Sequence, residues 1–558
     1  MNLSDLSKDE LIEIINKAET RKKYGLVWED EKTREHFDFN PAQVLPLISE
    51  IKKNRITTPK AEGNNYLIEG DNFFALHVLR YTHSAKIDLI YIDPPYNTGN
   101  KEDEEGFVYN DKRVDAEDSY RHSKWLSFMS KRLELAKDLL TDSGLIFISI
   151  DQNEFAQLRL LCDQIFGESN FINYLSWKKR STGGQVKDGS MITQTEFVFI
   201  YAKNKTQAKL NKIENLNSGA EKWRDLRKSG GQWQKRYRPK QYFPFFYDPA
   251  KDELTLERTS KKQIEIYPQD SKGEDGFWEN GIDTARTRLS NGEFRAEMIK
   301  TGTLKGNYKI KQQEIAGDDQ NVGNFIDLPS VQGANEIKKL DLKFNNPKPL
   351  GLIEHILTIG SPKNALVLDF FAGSGTTGHA VLNLNSSSGA NRKFILVTNN
   401  ENNICEEVTF PRIKKAIKGF KEPNGNSVAG LGENLRYFKT KFIEKSLNSD
   451  EMKMRATENC IDLLCFREGI FEEVELESTE YRMFSDGDKV LAIYHSFDPV
   501  AINELKDKLN AIESSHKVAY IFTFDNEGLY TEDYEDWKDV IVEAIPQKIL
   551  EILGAINV

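Results

Sequence analysis

Asp93, Pro94, Pro95 and Tyr96 follow directly on an apolar run, in the stretch IDLIYIDPPYNTGN (87–100). A carboxylate at the end of a strand is a fixed hydrogen-bond acceptor. Pro94 and Pro95 lock φ and hold the Pro94 carbonyl beside it as a second acceptor. Two adjacent acceptors match an NH2 group, which has two hydrogens to donate. Drawing both hydrogens out of the plane of an aromatic ring bends the nitrogen towards tetrahedral geometry and frees its lone pair to attack an electrophile. Tyr96 adds a face on which a planar base can stack. The plain reading is a Pro-Pro turn closing a strand. With proline at about 5% of residues, chance gives this tetrad in roughly one chain of this length in several hundred. The chemical reading therefore carries more weight: a pocket for the exocyclic amine of a base swung out of its stack.

A second motif lies far along the chain, in LVLDFFAGSGTTGHAV (366–381). A strand ends at Asp369, a turn of small residues follows, and a helix begins near Thr376. Gly373 and Gly375 let the backbone approach a ligand and adopt positive φ. The helix N-terminus offers free N–H groups to a carboxylate or phosphate. No lysine follows in a GxxxxGK[ST] frame, since His379 comes after Gly378. By itself the turn is either a ligand cradle or an ordinary strand-to-helix connection.

Basic residues gather in two stretches. WKKRSTGGQVKDG (177–189) carries Lys178, Lys179 and Arg180 before a Gly-Gly pair, and reads as a mobile loop near a polyanion or as a solvated loop. KWRDLRKSGGQWQKRYRPKQYF (222–243) interleaves Arg224, Arg227, Lys235, Arg236 and Arg238 with Trp and Tyr, a composition suited to phosphate and base contact. The net charge of −11 hides this asymmetry. Residues 174–262 hold 20 Lys+Arg against 9 Asp+Glu, and residues 451–558 hold 10 against 24. One segment is built to meet phosphates and the other to avoid them.

The elements that must position these residues are short apolar runs: YLIEG (66–70), IDLIYID (87–93), LIFISID (145–151) and FVFIYAK (197–203), all expected as buried parallel strands. SYRHSKWLSFMSKRLELAKDLL (119–140) has helical spacing. Alternation breaks between 205 and about 330 and resumes with ALVLDFF (365–371), GHAVLNL (378–384) and KFILVTN (393–399). The expected fold class is α/β, a doubly wound, mostly parallel sheet built from two separated segments with a polar domain inserted between them. The domains are then a helical leader (1–60, with LIEIINKAETRKKYG and PAQVLPLISEIKKN), a catalytic half (61–204), an inserted recognition region (205–335), a second half with the glycine turn (336–430) and an acidic C-terminal unit (431–558). That last unit has KVLAIYHS and KVAYIFTF as strands and IVEAIPQKILEILG as a closing helix.

At 558 residues, with 39% hydrophobic and 29% charged, the composition is that of a multidomain globular protein. No run approaches a membrane span, and the N-terminus lacks the layout of a signal peptide. The four cysteines show no CxxC spacing and the eight histidines are scattered, so neither a disulfide framework nor a metal site is expected. A reduced, cytoplasmic protein is the expectation.

DPPY together with Phe371, Gly373 and Gly375 resembles the S-adenosylmethionine-dependent amino-methyltransferases of DNA, in the β-class order of catalytic motif, basic insert, cofactor motif. KYGLVWED (23–30), LIEGDNFFALHVL (67–79), YRHSKWLSFMSKRL (120–133) and NPKPLGLI (346–353) extend the likeness to the modification subunits of type III restriction–modification systems. The resemblance implies that Asp93, Pro94, Pro95 and Tyr96 hold the target amine and base. It implies that Phe371, Gly373 and Gly375, with Asp369, Thr376 and Asp93 beside them, line S-adenosyl-L-methionine. Lys348-Pro349 would bind the methionine end, Glu401 the ribose, and Asp71 the adenine; Asp71 reads equally as a helix N-cap. An Asp in the tetrad implies adenine N6 rather than cytosine N4. Double-stranded DNA, a homodimer and a helicase-nuclease restriction subunit are the implied partners. A solitary methyltransferase, a non-catalytic DNA-recognition scaffold, and an RNA or protein amine substrate are the alternatives.

Overall fold

The computed structural model describes residues 28, 43–59, 61–98, 108–109, 112–113, 118–180, 192–213, 223–313, 322–525 and 528–554. They fall into two compact units, one comprising 1–211 with 323–558 and the other 212–322.

In the first unit ten strands form one sheet. In chain order they are β1 (Val44–Glu50), β2 (Asn65–Glu69), β3 (Ile87–Ile92), β4 (Leu140–Ile150), β5 (Phe171–Lys178), β6 (Thr195–Ala202), β7 (Phe325–Asp327), β8 (Leu366–Asp369), β9 (Lys393–Thr398) and β10 (Leu435–Glu444). In space they run β1-β10-β2-β9-β8-β3-β4-β6-β5-β7. All pairs from β10 through β4 are parallel. The central strands read as unbroken apolar runs because both faces are covered. Ile90, Ile92, Ile146, Ile148, Ile395 and Val397 point to one face, where α1 (Asn72–Thr82) and α2 (Arg121–Leu139) lie. On the other face Gly360 of α3 (Leu350–Gly360) lies against β3 and β4. A Cβ there would stand 2.5 Å from Phe147 and 2.8 Å from Leu89, so only glycine admits the approach. α4 (Thr376–Ser388) and α5 (Phe410–Lys418) complete the elements that frame the site.

Five expectations need correction, the fifth being the bounds of the insert described below. VLPLISE is strand β1, not helix, pairing antiparallel with β10. Pro46 sits in it without cost because β1 is the sheet edge. FVFIYAK lies in β6, which runs antiparallel to both β4 and β5; an apolar run reports burial, not direction. Residues 435–444 belong to the main sheet rather than to a unit starting at 431. Leu435–Phe438 are buried, as an interior strand between β2 and β1 requires. IVEAI is the strand Val540–Ile545, and the helix begins only at Gln547, after Pro546, whose ring and missing N–H keep it out of a helix interior. The stretch LIEIINKAETRKKYG lies outside the described residues.

The C-terminal strands Glu472–Val474, Tyr481–Asp486, Lys489–Tyr494, His516–Phe522 and Val540–Ile545 form a second sheet in chain order. Its core is continuous with that of the main sheet. α1 is apolar nearly all round because it packs between the sheet and the helices Ile461–Glu468 and Gln547–Gly554. Each of Phe73, Phe74, Leu76 and Leu79, all nearly fully buried, contributes about 1.5–3 kcal/mol. The compact insert covers 212–322 rather than 205–335, since β7 pairs with β5. It has two three-stranded sheets around Leu226, Phe245, Trp278, Phe294 and Ile310.

Candidate active site

β3 and β8 are neighbours in register, Leu89 with Val367 and Ile90 with Leu368. In that register Asp369 stands beside Tyr91, so Asp369 and, two residues further on, Asp93 both emerge at the carboxyl edge of the sheet on adjacent strands. From β3 the chain steps to β4 on one side, and from β8 to β9 on the other, so the two acids flank the topological switch point, where open α/β sheets bind ligands.

Asp93 is held from both sides. The Tyr96 hydroxyl donates to its Oδ1 at 2.7 Å, and Lys348 Nζ to its Oδ2 at 2.7 Å. Pro95 is fixed through its carbonyl, which accepts from the indole of buried Trp125 at 2.7 Å. Glu196, at the start of β6, is a buried second carboxylate. Its Oε2 lies 3.4 Å from the Tyr96 hydroxyl and 3.7 Å from Lys348 Nζ, and its Oε1 pairs with Lys179. Burial alone would raise this carboxyl, but Lys348 and Lys179 outweigh it and hold it below the usual carboxylate range. Burial, then Asp93 and Glu196, push the Tyr96 phenol well above its ordinary value, so it stays protonated as a donor.

Asn97 closes the tetrad in a left-handed conformation, φ 53°, which Asn tolerates better than most residues. Its amide donates to Glu154 Oε1 at 2.5 Å and to the Arg121 carbonyl at 3.2 Å. Glu154 is fully buried, and desolvation pushes its carboxyl up to about 8. His122 Nδ1 stands 2.7 Å from the same oxygen.

The glycine turn is tied to its own strand. Asp369 Oδ1 accepts from the Phe371 amide at 3.0 Å and Oδ2 from the Thr377 hydroxyl at 2.5 Å, and burial pushes the carboxyl up to about 7. Gly373 and Gly375 have φ of 46° and 76°, in the left-handed region that favours glycine. The first turn of α4 has no side-chain cap. Beneath the turn, fully buried Arg412 of α5 donates to Ser374 at 3.1 Å and Thr376 at 2.8 Å, with Glu336 3.8 Å away. Phe344 lies 3.5 Å from where a Gly373 Cβ would stand. Asp71 caps α1, accepting from the Phe73 amide at 2.8 Å, with Arg132 at 3.4 Å. Glu401 is exposed in a short turn after β9 and accepts from Asn399 at 3.3 Å. Pro349 precedes α3, whose Leu350 amide donates to Glu336 at 3.0 Å.

The structure thus gathers Asp93, Tyr96, Lys348 and Lys179, and separately Asp369, Gly373, Gly375 and Thr376. Glu196, Glu154 and Arg412 escape the sequence reading. Glu196 is one acid before an apolar strand, which nothing in the pattern marks. Arg412 leaves a trace, a lone cation on the apolar stripe of an amphipathic helix.

Lys178 pairs with Asp327 at 2.7 Å, and Arg180 is exposed; the rest of the 177–189 loop, from 181 on, lies outside the described residues. In the insert, Arg224 pairs with Glu279 at 2.6 Å and Lys235 stands 3.5 Å over the Tyr242 ring. Arg227, Arg236 and Arg238 lie over Trp233, Tyr237 and Phe277 at 5.3, 5.0 and 5.8 Å. Among the described residues no group of three or more His, Cys, Asp or Glu could hold a metal ion, and no helix is long and apolar enough to cross a membrane.

An acceptor pair for an amine beside a glycine turn, on adjacent strands of a doubly wound sheet, is the architecture of a group-transfer enzyme acting on a base. Residues 87–409 match the DNA methylase family (N6_N4_Mtase), and the chain belongs to it. Among its relatives, the EcoPI Mod subunit of a type III restriction-modification enzyme of Escherichia phage P1 is 31% identical over 443 residues, 71% of this chain and 67% of that one. The EcoP15I Mod subunit of Escherichia coli is 29% identical over 454 residues, 70% and 67% of the two chains. The type II methyltransferase M.KpnI of Klebsiella pneumoniae is 33% identical over 392 residues, 67% and 89%. The solved structure of PvuII DNA methyltransferase (cytosine-N4-specific) overlaps 66% of this chain and 91% of its own at 12% identity, with a TM-score of 0.34.

Proposed function

We propose that this DNA methylase transfers a methyl group to N6 of adenine in double-stranded DNA, as the modification subunit of a type III restriction–modification system. The observation that carries the reading is the fixed Asp93 carboxylate beside Pro94 and Tyr96, one strand away from the glycine turn. Asp93 and the Pro94 carbonyl accept the two amine hydrogens, and the Tyr96 ring supports the base. The turn fits S-adenosyl-L-methionine: Gly373 and Gly375 give it a left-handed backbone that can pass close to a ligand, and the uncapped N-terminus of α4 suits a carboxylate. Phe371, Gly373, Gly375 and Thr376, with Pro349, Asp71 and Glu401, would hold it, while Lys348 stands on Asp93; when bound the cofactor supplies an activated methyl group. What the chain itself does is position and desolvate the amine.

An Asp rather than a Ser in the tetrad favours adenine over cytosine. The Mod relatives support a restriction partner, and a homodimer is part of the same proposal. The test is to express the chain alone in a methylation-free bacterium and map modified bases by long-read sequencing. N6-methyladenine in one short asymmetric motif is the expected result. N4-methylcytosine, or an unmodified genome with abundant soluble protein, would overturn the assignment.

A further inference from the structure

We infer that Glu196 is a positioning residue: it is the second carboxylate that takes the Lys348 ammonium when the target amine displaces it from Asp93. The inference rests on the amino-methyltransferase reading above. Lys348 Nζ is a donor nitrogen 2.7 Å from Asp93 Oδ2 and 4.9 Å from the centre of the Tyr96 ring. A base amine that uses the same carboxylate and the same ring must occupy that place, so the lysine has to leave it. The Lys348 side chain is only 11% exposed, and an ammonium taken from its carboxylate in such surroundings needs another. Glu196 Oε2 lies 3.7 Å from the same nitrogen, within a small swing of the flexible lysine stem.

The rest of the cluster fits this exchange. Lys179 holds Glu196 Oε1, which leaves Oε2 facing Lys348 and the Tyr96 hydroxyl. Glu196 remains charged despite burial, since Lys348 and Lys179 outweigh the cost of desolvation. Two carboxylates and two lysines are present before the exchange and after it, so a neutral amine enters without stranding a charge. Without the Glu196 charge, the amine and Lys348 compete for Asp93 alone.

The experiment measures the amine's own contribution to binding. Two duplexes carrying the mapped motif are compared by fluorescence anisotropy, without cofactor: one has adenine at the target and the other has purine, which lacks the amine. Glu196→Gln should cut the preference for adenine over purine about tenfold, a typical coupling. Lys348→Met should raise that preference, and in its background Glu196→Gln should have no further effect. A general structural role would weaken both duplexes equally and leave the ratio unchanged, which would overturn the inference. If Glu196→Gln does not fold, Lys348→Met alone decides: an unchanged or lower adenine preference refutes the placeholder. A wild-type protein that methylates adenine yet shows no such coupling refutes the role of Glu196 alone. A wild-type protein that methylates nothing removes the reading beneath it as well.

Discussion

The carboxyl edge of the main sheet and the inserted unit use charge in opposite ways. At the edge, Asp93, Glu196, Lys348 and Lys179 are largely removed from water and paired with one another. In the insert, Arg236 and Arg238 are exposed and rest on aromatic faces. Buried, paired charges hold a fixed geometry, which is what chemistry on one amine needs. Exposed arginines over rings can exchange a weak contact for a phosphate or a base edge at little cost. The difference separates a part whose charges exchange only with one another from a part that must adapt to a partner.

The sharpest way to break this division is Asp93→Ala. Methyl transfer should fall roughly a thousandfold, while affinity for the duplex with purine at the target stays near the wild-type value by anisotropy; a parallel loss of both would show that the edge carries binding beyond the amine. Next comes Arg412→Ala, which leaves Glu336, Ser374 and Thr376 without their buried cation. It should lower stability by roughly 3 kcal/mol in a denaturant melt and weaken cofactor binding by calorimetry.

Glu154 probes the same edge through pH. Its carboxyl is raised from an ordinary 4.5 to about 8, chiefly by burial, with Asp151 adding to it and Asn97 and Arg121 opposing. A raised carboxyl favours the protonated fold, so its contribution is complete below about 4.5 and is lost as pH rises through 8. Glu154→Gln should flatten that decline in denaturant melts run between the two limits. The smallest effect belongs to the insert. The pair Arg236→Ala and Arg238→Ala should weaken duplex binding roughly tenfold and make its salt dependence shallower by about two ions, with cofactor affinity unchanged.

Much of this was legible in the chain, and the reasons differ by element. DPPY and the glycine turn stand out because rare residues sit where strands end, and β3, β8 and β9 stand out because strands covered on both faces are apolar throughout. Direction and edges are not encoded that way. FVFIYAK looks like its parallel neighbours although it runs against them, and VLPLISE has enough apolar residues to pass for a helix. Lys178 and Lys179 show why counting charge misleads: summed with a basic segment, each is in fact engaged by a carboxylate, Asp327 and Glu196. Those partners come from strands distant in sequence or from the other side of a loop, and only the folded sheet reveals them.

The sheet order has a consequence for synthesis. β3, which delivers Asp93, is made early, yet its neighbour β8 follows the whole insert, and β2 is flanked by β9 and β10, later still. On the ribosome the early strands therefore wait with open edges, the condition in which chains mispair or need a chaperone. No half-made chain can carry both motifs side by side. The methylase is silent until β8 and β9 have emerged from the exit tunnel, so the order of translation itself keeps the two halves of its chemistry apart.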